Sequence, residues 1–295
     1  NFKYIKRKNK NMIAIIGSGK LTNYLIKKIN NKNYLLISGT NKIDSNTYNV
    51  GRNLKEINKI KLPSNISHCI INWSHTYINK FNKFQSCISG FERISDFIIK
   101  NPKVNFIFIS STSASIEVNK YSLYGLSKFI AESIFLKIKK LYPEIRIRIL
   151  RPGMIYGLED CPIKTILSLR RLNIEFYPGN PEVFFPVTSA NDLSLYLLNT
   201  NSIIWEIDKL CLGFYEPIPI NLKYVHKKFS QYNFSTKSLF KFYINQKSIL
   251  LKLLLLLGKE IDLSLSNINR FPQKDRPCKY LVKEGMESYI KNIFK

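Results

Sequence analysis

Tyr124 and Lys128 stand four residues apart in Tyr-Gly-Leu-Ser-Lys. On a helix, positions i and i+4 share a face, so the ammonium can lie beside the phenol. A free tyrosine ionises near pH 10 and is a poor base at neutral pH. A neighbouring cation favours the phenolate. Such a pair can take a proton from an alcohol or return one to a carbonyl oxygen. A nearby hydroxyl would orient the reacting oxygen, and the run Ser110-Ser111-Thr112-Ser113 offers several. The competing reading is a helix-surface aromatic with a solvated lysine. Context separates the two: an apolar run ending in hydroxyls precedes the pair, and Arg151-Pro152-Gly153-Met154-Ile155-Tyr156-Gly157 follows it.

A second chemical signal is Gly17-Ser18-Gly19, between the apolar run Met12–Ile16 and a helical pattern that continues to Ile29. In dinucleotide-binding folds the first glycine allows a tight turn. The second lets the backbone approach a pyrophosphate resting on the helix N-terminus. Thr22 occupies the third small-residue position, so the pattern is imperfect. A phosphate loop of the G-x-x-x-x-G-K-[ST] type is excluded, because Ala14 stands at its first glycine and Leu21 follows Lys20. An acid about twenty residues on would bind the ribose of NAD. Here the segment reads Ile37-Ser38-Gly39-Thr40-Asn41-Lys42, with no acid before Asp44. Ser38 and Lys42 suit a 2′-phosphate, so the expected cofactor is NADP or NAD, with NADP preferred.

These groups need a scaffold, and the apolar patterning supplies one. Strand-like runs at Met12–Ile16, Tyr34–Ile37, His68–Trp73, Val104–Ile109 and Ile145–Leu150 alternate with helical stretches through Ile29, Phe91–Lys100 and Tyr121–Leu141. Alternation of this kind predicts an α/β, Rossmann-type doubly wound parallel sheet. Arg146 and Arg148 are expected on one face of their strand. After about residue 158 the rhythm becomes irregular and proline-punctuated, which suggests a smaller C-terminal substrate lobe. The expected organisation is a basic tail over 1–11, an NAD(P)-binding domain over 12–158 and a substrate-binding lobe over 159–295, interleaved with the first domain. The polar stretch Thr40–Lys59 reads as a surface connection, Asp192 as a helix cap, and Val282–Phe294 as the last helix.

Composition narrows the class. Of 295 residues 45% are hydrophobic, enough for a sizeable core. The five cysteines form no C-x-x-C pair, and the three histidines have no metal-ligand spacing, so no metal site is expected. Unpaired cysteines and the lack of a secretory pattern point to the cytoplasm. The greasiest run, Ile249–Leu257, contains Lys252 and is far shorter than the ~20 residues of a spanning helix. A net charge of +26 is spread along the chain among many Asn and Ile residues, which reads as compositional drift. It also keeps open a binding protein for RNA or another polyanion. Arg270, Lys274 and Arg276 are candidates for a substrate diphosphate, against the reading of a solvated loop.

Taken in order, the glycine turn Gly17–Thr22, the strand end Asn72–His75, the cluster Ser110–Ser113, Tyr124/Lys128 and Arg151–Gly157 resemble the extended short-chain dehydrogenase/reductase superfamily. The nearest resemblance is to its nucleotide-sugar epimerase, dehydratase and reductase group. Phe185–Asp192 and Glu284-Gly285 resemble later family segments more thinly. The resemblance implies hydride transfer to or from a nicotinamide at a nucleotide-activated sugar, by a keto-reductase or an epimerase, with no nucleic acid as partner. It implies Tyr124 as acid/base, Lys128 as its partner and ribose ligand, and Ser111, or next Thr112, as the catalytic hydroxyl. It further implies Gly17, Ser18, Gly19 and the Lys20–Leu21 backbone as the pyrophosphate turn. Ser74 falls on the adenosine side, and Pro152, Met154 and Ile155 behind the nicotinamide. A homodimer follows from the same resemblance. The chain departs from the family at Thr22, in the short Ser111–Tyr124 connection, and in the trio Ser111-Thr112-Ser113, which has no carboxylate and so counts against dehydration. A degenerate cofactor sensor is the remaining alternative.

Overall fold

The computed structural model describes residues 12–29, 33–39, 45–74, 81–114, 122–159, 161–172, 174–178, 181–199, 211–216, 218, 220–233, 240–244 and 285–293. The chain forms two compact units: 1–151 with 193–213, and 152–192 with 214–295.

The first unit is built on a seven-stranded sheet. Its strands are β1 (Met12–Ile16), β2 (Tyr34–Ser38), β3 (Thr47–Asn49), β4 (Ile66–Ile71), β5 (Asn105–Ile109), β6 (Ile147–Pro152) and β10 (Cys211–Phe214), in the order β10-β6-β5-β4-β1-β2-β3. Neighbours from β3 through β6 all run parallel. The order reverses between β1 and β4, which makes the sheet doubly wound and opens a crevice at their carboxyl ends. All residues of β1 and β2 are buried, as continuous apolar runs in a parallel sheet must be.

Helices α1 (Lys20–Lys28), α2 (Phe81–Lys100) and α3 (Leu123–Leu141) also belong to this unit. Between α2, α3 and the sheet, Phe91 meets Trp73, Phe108 and Phe135 edge to face at 5.3, 5.6 and 6.2 Å. Edge-to-face packing sets the positive rim of one ring against the negative face of the next. α2 begins ten residues earlier than the apolar pattern predicts, because its first half alternates Phe81, Phe84 and Cys87 with Asn, Lys, Gln and Ser and is only partly buried.

Two sequence expectations are corrected here. The stretch Thr40–Lys59 is not a plain connection: its described part contains β3 and two short 3-10 turns, Arg52–Leu54 and Ile57–Lys59. Isolated residues hold it down, with Val50, Leu54 and Ile57 all in the core. Arg146 and Arg148 do not share a strand face, since Arg146 is exposed before β6 begins whereas Arg148 is buried within it. β6 lies inside the sheet between β5 and β10, so its alternation does not mark a wet face.

His68 on β4 is 2% exposed. Its Nδ1 meets Ser67 Oγ at 3.0 Å and its Nε2 meets the Leu197 carbonyl at 2.8 Å. Burial lowers its pKa from 6.5 to about 4, against the raising effect of the Leu197 bond. A lowered folded-state value means that the unfolded chain binds the proton first. The contribution of His68 is therefore complete above pH 6.5 and is lost as the pH falls toward about 4. The full span corresponds to about 3 kcal/mol. Urea unfolding across this window should show a steeper loss of stability for the unaltered protein than for His68→Asn. Parallel curves would remove His68 as the group responsible.

The second unit pairs β7 (Met154–Tyr156) with β9 (Val187–Ser189), and β8 (Ile174–Pro178) with β11 (Phe240–Ile244), both in parallel. Helices α4 (Pro162–Arg171), α6 (Leu222–Asn233) and α7 (Met286–Asn292) belong to it. Its core gathers Tyr156, Ile163, Leu167, Phe185, Val225 and Ile290. The Glu216 carboxylate bonds the Tyr156 hydroxyl and the Met286 amide, tying α7 to β7.

Helix α5 (Ala190–Leu198) carries the chain back to the first unit. Asp192 does not cap it. Asp192 lies in its first turn, and the Ser189 Oγ accepts from the Asp192 amide at 3.3 Å. α7 is the last described helix and is shorter than the predicted Val282–Phe294. Ile249–Leu257, Arg270, Lys274 and Arg276 lie outside the described residues. No described helix is long and apolar enough to cross a membrane.

Candidate active site

The parallel strands of the first unit bring most of the singled-out residues to one edge of the sheet. Gly17 follows β1, Ser38 ends β2, Ser74 follows β4, and Ser111 and Thr112 follow β5. This is the edge at which open α/β sheets bind ligands.

Gly17 has φ +105°, and a Cβ there would lie 2.4 Å from the Asn72 carbonyl oxygen. Its amide donates to Ile37 O at 2.9 Å, which closes the turn against β2. Gly19 differs. It precedes α1 in an extended conformation (φ −74°), and the nearest described atom to a Cβ is Asn72 Nδ2 at 3.9 Å. The fold itself does not demand glycine there, but a phosphate approaching the backbone would. Ser18 is half-buried, Lys20 is exposed at the start of α1, and Leu21 is core, so only its backbone could serve a ligand. Thr22 is fully buried, and its Oγ1 accepts from Asn72 Nδ2 at 2.9 Å. The departure from glycine is thus accounted for by a bond between α1 and the end of β4. These residues fit a dinucleotide: a bare turn, an open glycine and a helix N-terminus without first-turn acids.

Ser38, expected to meet a 2′-phosphate, is fully buried at the end of β2. Lys42 and His75 lie outside the described residues. Ser74 is half-buried beyond β4. Pro152 closes β6, whereas Met154 and Ile155 belong to β7 in the second unit.

α3 starts beside the hydroxyl cluster. Ser122 caps it, its Oγ accepting from the Gly125 amide at 3.2 Å. Tyr124 therefore sits in the first turn, where the positive end of the helix dipole favours an anion. One turn on, Lys128 is 3% exposed. Its Nζ donates to the Ile109 carbonyl at 2.8 Å and lies 4.8 Å from the Phe108 ring centre, 5.8 Å from that of Phe91 and 5.9 Å from that of Tyr124. Burial lowers the Lys128 pKa to about 8, while the nearby Cys87 and Glu132 raise it. Of the hydroxyls, Ser110 is buried and donates to Glu132 Oε1 at 2.5 Å. Ser111 Oγ accepts from the Ser113 amide at 3.1 Å, and Thr112 is buried in the short turn that follows.

Glu132 was not singled out by sequence reasoning. It is 2% exposed and takes both branches of Arg151, from Nε to Oε1 at 2.9 Å and from the second guanidinium nitrogen to Oε2 at 2.6 Å. Its signal was available: Tyr124, Lys128 and Glu132 repeat at intervals of four, and an acid falls on the apolar face that also carries Ala131 and Phe135.

No protein-family model and no curated protein matches the chain. Solved structures do. UDP-N-acetylglucosamine 4-epimerase from Bacillus cereus is 14% identical, with a TM-score of 0.61 over 80% of this chain and 86% of that one. UDP-glucuronic acid 4-epimerase from Bacillus cereus, in complex with UDP-glucuronic acid and NAD, is 14% identical at a TM-score of 0.57 over 86% and 96%. L-threonine dehydrogenase from Phytophthora infestans is 9% identical at 0.63 over 79% and 85%.

The fold is that of the extended short-chain dehydrogenase/reductases.

Within that fold, the first unit carries the glycine turn and the hydroxyl cluster after β1 and β5, and the Tyr124/Lys128 pair at the start of α3. Among the described residues, Cys69, Cys87 and Cys161 are buried and form no disulfide, and burial raises the Cys69 pKa.

Proposed function

We propose that the chain is an NAD(P)-dependent oxidoreductase or epimerase that acts on a nucleotide-activated sugar. The observation that carries this reading is Lys128, a buried ammonium on the same helix face as Tyr124, at the sheet edge that also carries the glycine turn. A pure scaffold has no use for a buried cation beneath a phenol. Bound nicotinamide supplies the hydride donor or acceptor. Tyr124 gives a proton to, or takes one from, the sugar oxygen. The Lys128 charge favours the phenolate form between these transfers. Ser111 or Thr112 orients the oxygen by hydrogen bonding. Gly17, Ser18, Gly19 and the Lys20–Leu21 backbone seat the pyrophosphate, Ser74 lines the adenosine side, and Pro152, Met154 and Ile155 back the nicotinamide. The first unit is then the cofactor-binding domain and the second the substrate lobe.

The same reading makes the enzyme a homodimer, which a monomer in sedimentation equilibrium would overturn. Buried cysteines outside any disulfide fit a cytoplasmic setting, and cell fractionation tests it. The choice between a keto-reductase and an epimerase turns on the cofactor. The glucuronic acid epimerase holds NAD, and burial of Ser38 leaves Lys42 to carry the argument for NADP. Titration with NADPH and NADH side by side should show tighter NADPH binding, and Lys42→Ala should bring the two together. Equal affinities in the unaltered protein would remove the NADP preference and favour a cofactor-recycling epimerase. If neither dinucleotide binds and RNA binds with a steep salt dependence, the charge of +26 becomes the better guide and the enzyme reading fails.

A further inference from the structure

We propose that Glu132 is a positioning residue for the proton-transfer pair: fixed by Ser110 and Arg151 one helical turn beyond Lys128, its carboxylate holds the Lys128 ammonium in its buried place. The inference rests on the reading of Tyr124 and Lys128 given above.

Three bonds fix the carboxylate. Ser110 Oγ reaches it from the end of β5 at 2.5 Å, and Arg151 reaches it twice from β6 at 2.9 and 2.6 Å. The side chain of Glu132 is 3% exposed and that of Arg151 16%. Bidentate guanidinium–carboxylate pairing fixes both groups in direction as well as distance. The strand that ends in the hydroxyl cluster, the next strand and the helix bearing Tyr124 are therefore locked to one another at a single carboxylate. A helix rotated or slid by a fraction of a turn would break all three bonds and displace Tyr124 relative to the end of β5.

The charge matters as well as the fit. An ammonium buried among the Phe91, Phe108 and Tyr124 rings, with the Ile109 carbonyl as acceptor, is costly without a counter-charge. The groups acting on Lys128 are Cys87 of α2 and Glu132 of its own helix, both of which favour the protonated form. Of these, Glu132 is the carboxylate, and its head group and the Lys128 ammonium are bonded to successive residues at the end of β5, Ser110 and Ile109. Arg151 satisfies Glu132 without replacing it, since the guanidinium reaches the carboxylate and not the lysine.

NMR titration of the Lys128 side chain in the full chain tests this, with the signal assigned by its loss in Lys128→Met. Glu132→Gln keeps the shape and removes the charge. The Lys128 pKa is expected to fall by roughly one unit, kcat to fall with its alkaline limb displaced, and substrate KM to hold. Glu132→Asp keeps the charge and should restore most of the titration. If Glu132→Gln does not fold, Glu132→Gln with Arg151→Met replaces the ion pair by a neutral pair, and the same fall is expected. A rise toward the value of an exposed lysine would mean that Glu132 merely keeps water out, and would overturn the proposal, as would no change. The expected fall together with full turnover by Tyr124→Phe would leave the Glu132–Lys128 coupling standing and remove the catalytic assignment instead.

Discussion

Tyr124→Phe should lower turnover by about a thousandfold while leaving dinucleotide affinity and thermal unfolding close to the unaltered protein. The substitution removes one hydroxyl. The ring stays packed against the core beside Leu123, the Lys128 contact to the Ile109 carbonyl is unaffected, and the Ser127 hydroxyl still donates to the carbonyl of residue 124, as it does now at 2.7 Å. What disappears is the group that carries the proton. A variant that lost binding or stability as well would show that the hydroxyl is structural. A variant with full activity would end the assignment of Tyr124 as acid/base. Measuring cofactor fluorescence, melting and product formation on one preparation separates these outcomes.

Gly17→Ala and Gly19→Ala should fail in different ways. At Gly17 a Cβ would lie 2.4 Å from the Asn72 oxygen, 2.8 Å from its carbonyl carbon and 3.0 Å from Trp73 Cα, with φ at +105°. These are backbone atoms at the end of β4, bonded to β1 through the Asn72 amide and Ile16 carbonyl at 2.9 Å. Neither the left-handed conformation nor the overlap can be relieved by rotating a side chain. The expected cost is on the order of 3 kcal/mol, seen as a fall in Tm of ~10 °C, and dinucleotide binding is lost with the turn. At Gly19 the φ is ordinary and the nearest atom is 3.9 Å away. Gly19→Ala should melt normally and yet bind NADH or NADPH at least tenfold more weakly, because the methyl occupies the approach of the pyrophosphate. Unchanged affinity in Gly19→Ala would place the pyrophosphate elsewhere.

The parts of this molecule that were legible in its sequence are those written as continuous patterns. β1 is an unbroken apolar run, and β2, β4 and β5 carry the apolar runs Tyr34–Ile37, Cys69–Ile71 and Phe106–Ile109, because both faces of a parallel sheet are covered. The Tyr124/Lys128 face follows from helical spacing alone. β3 was missed because its anchors Val50, Leu54 and Ile57 are scattered among Asn and Lys, and a three-residue edge strand carries little periodicity. Glu132 was missed for a different reason. An acid on an apolar face has no meaning until its partners are known, and Ser110 and Arg151 come from positions 22 residues before and 19 after it. Ser38 is a different case: a hydroxyl placed correctly at the end of β2 was read as a ligand for a 2′-phosphate, and only packing shows that it is fully buried.

The edge of the sheet has a history in time as well as a place in space. β6 ends at Pro152, but the strand that covers it, β10, begins at Cys211. A chain emerging from the ribosome must therefore make more than fifty further residues before β6 acquires its outer neighbour. Until then β6 offers a row of unpaired backbone groups to any extended segment nearby. The pairing is a long-range contact, which slows closure of the sheet. A fragment cut near residue 158 would carry every proton-transfer group discussed above and still retain that open edge. Such a fragment would be expected to associate through β6 rather than remain a small cofactor-binding domain.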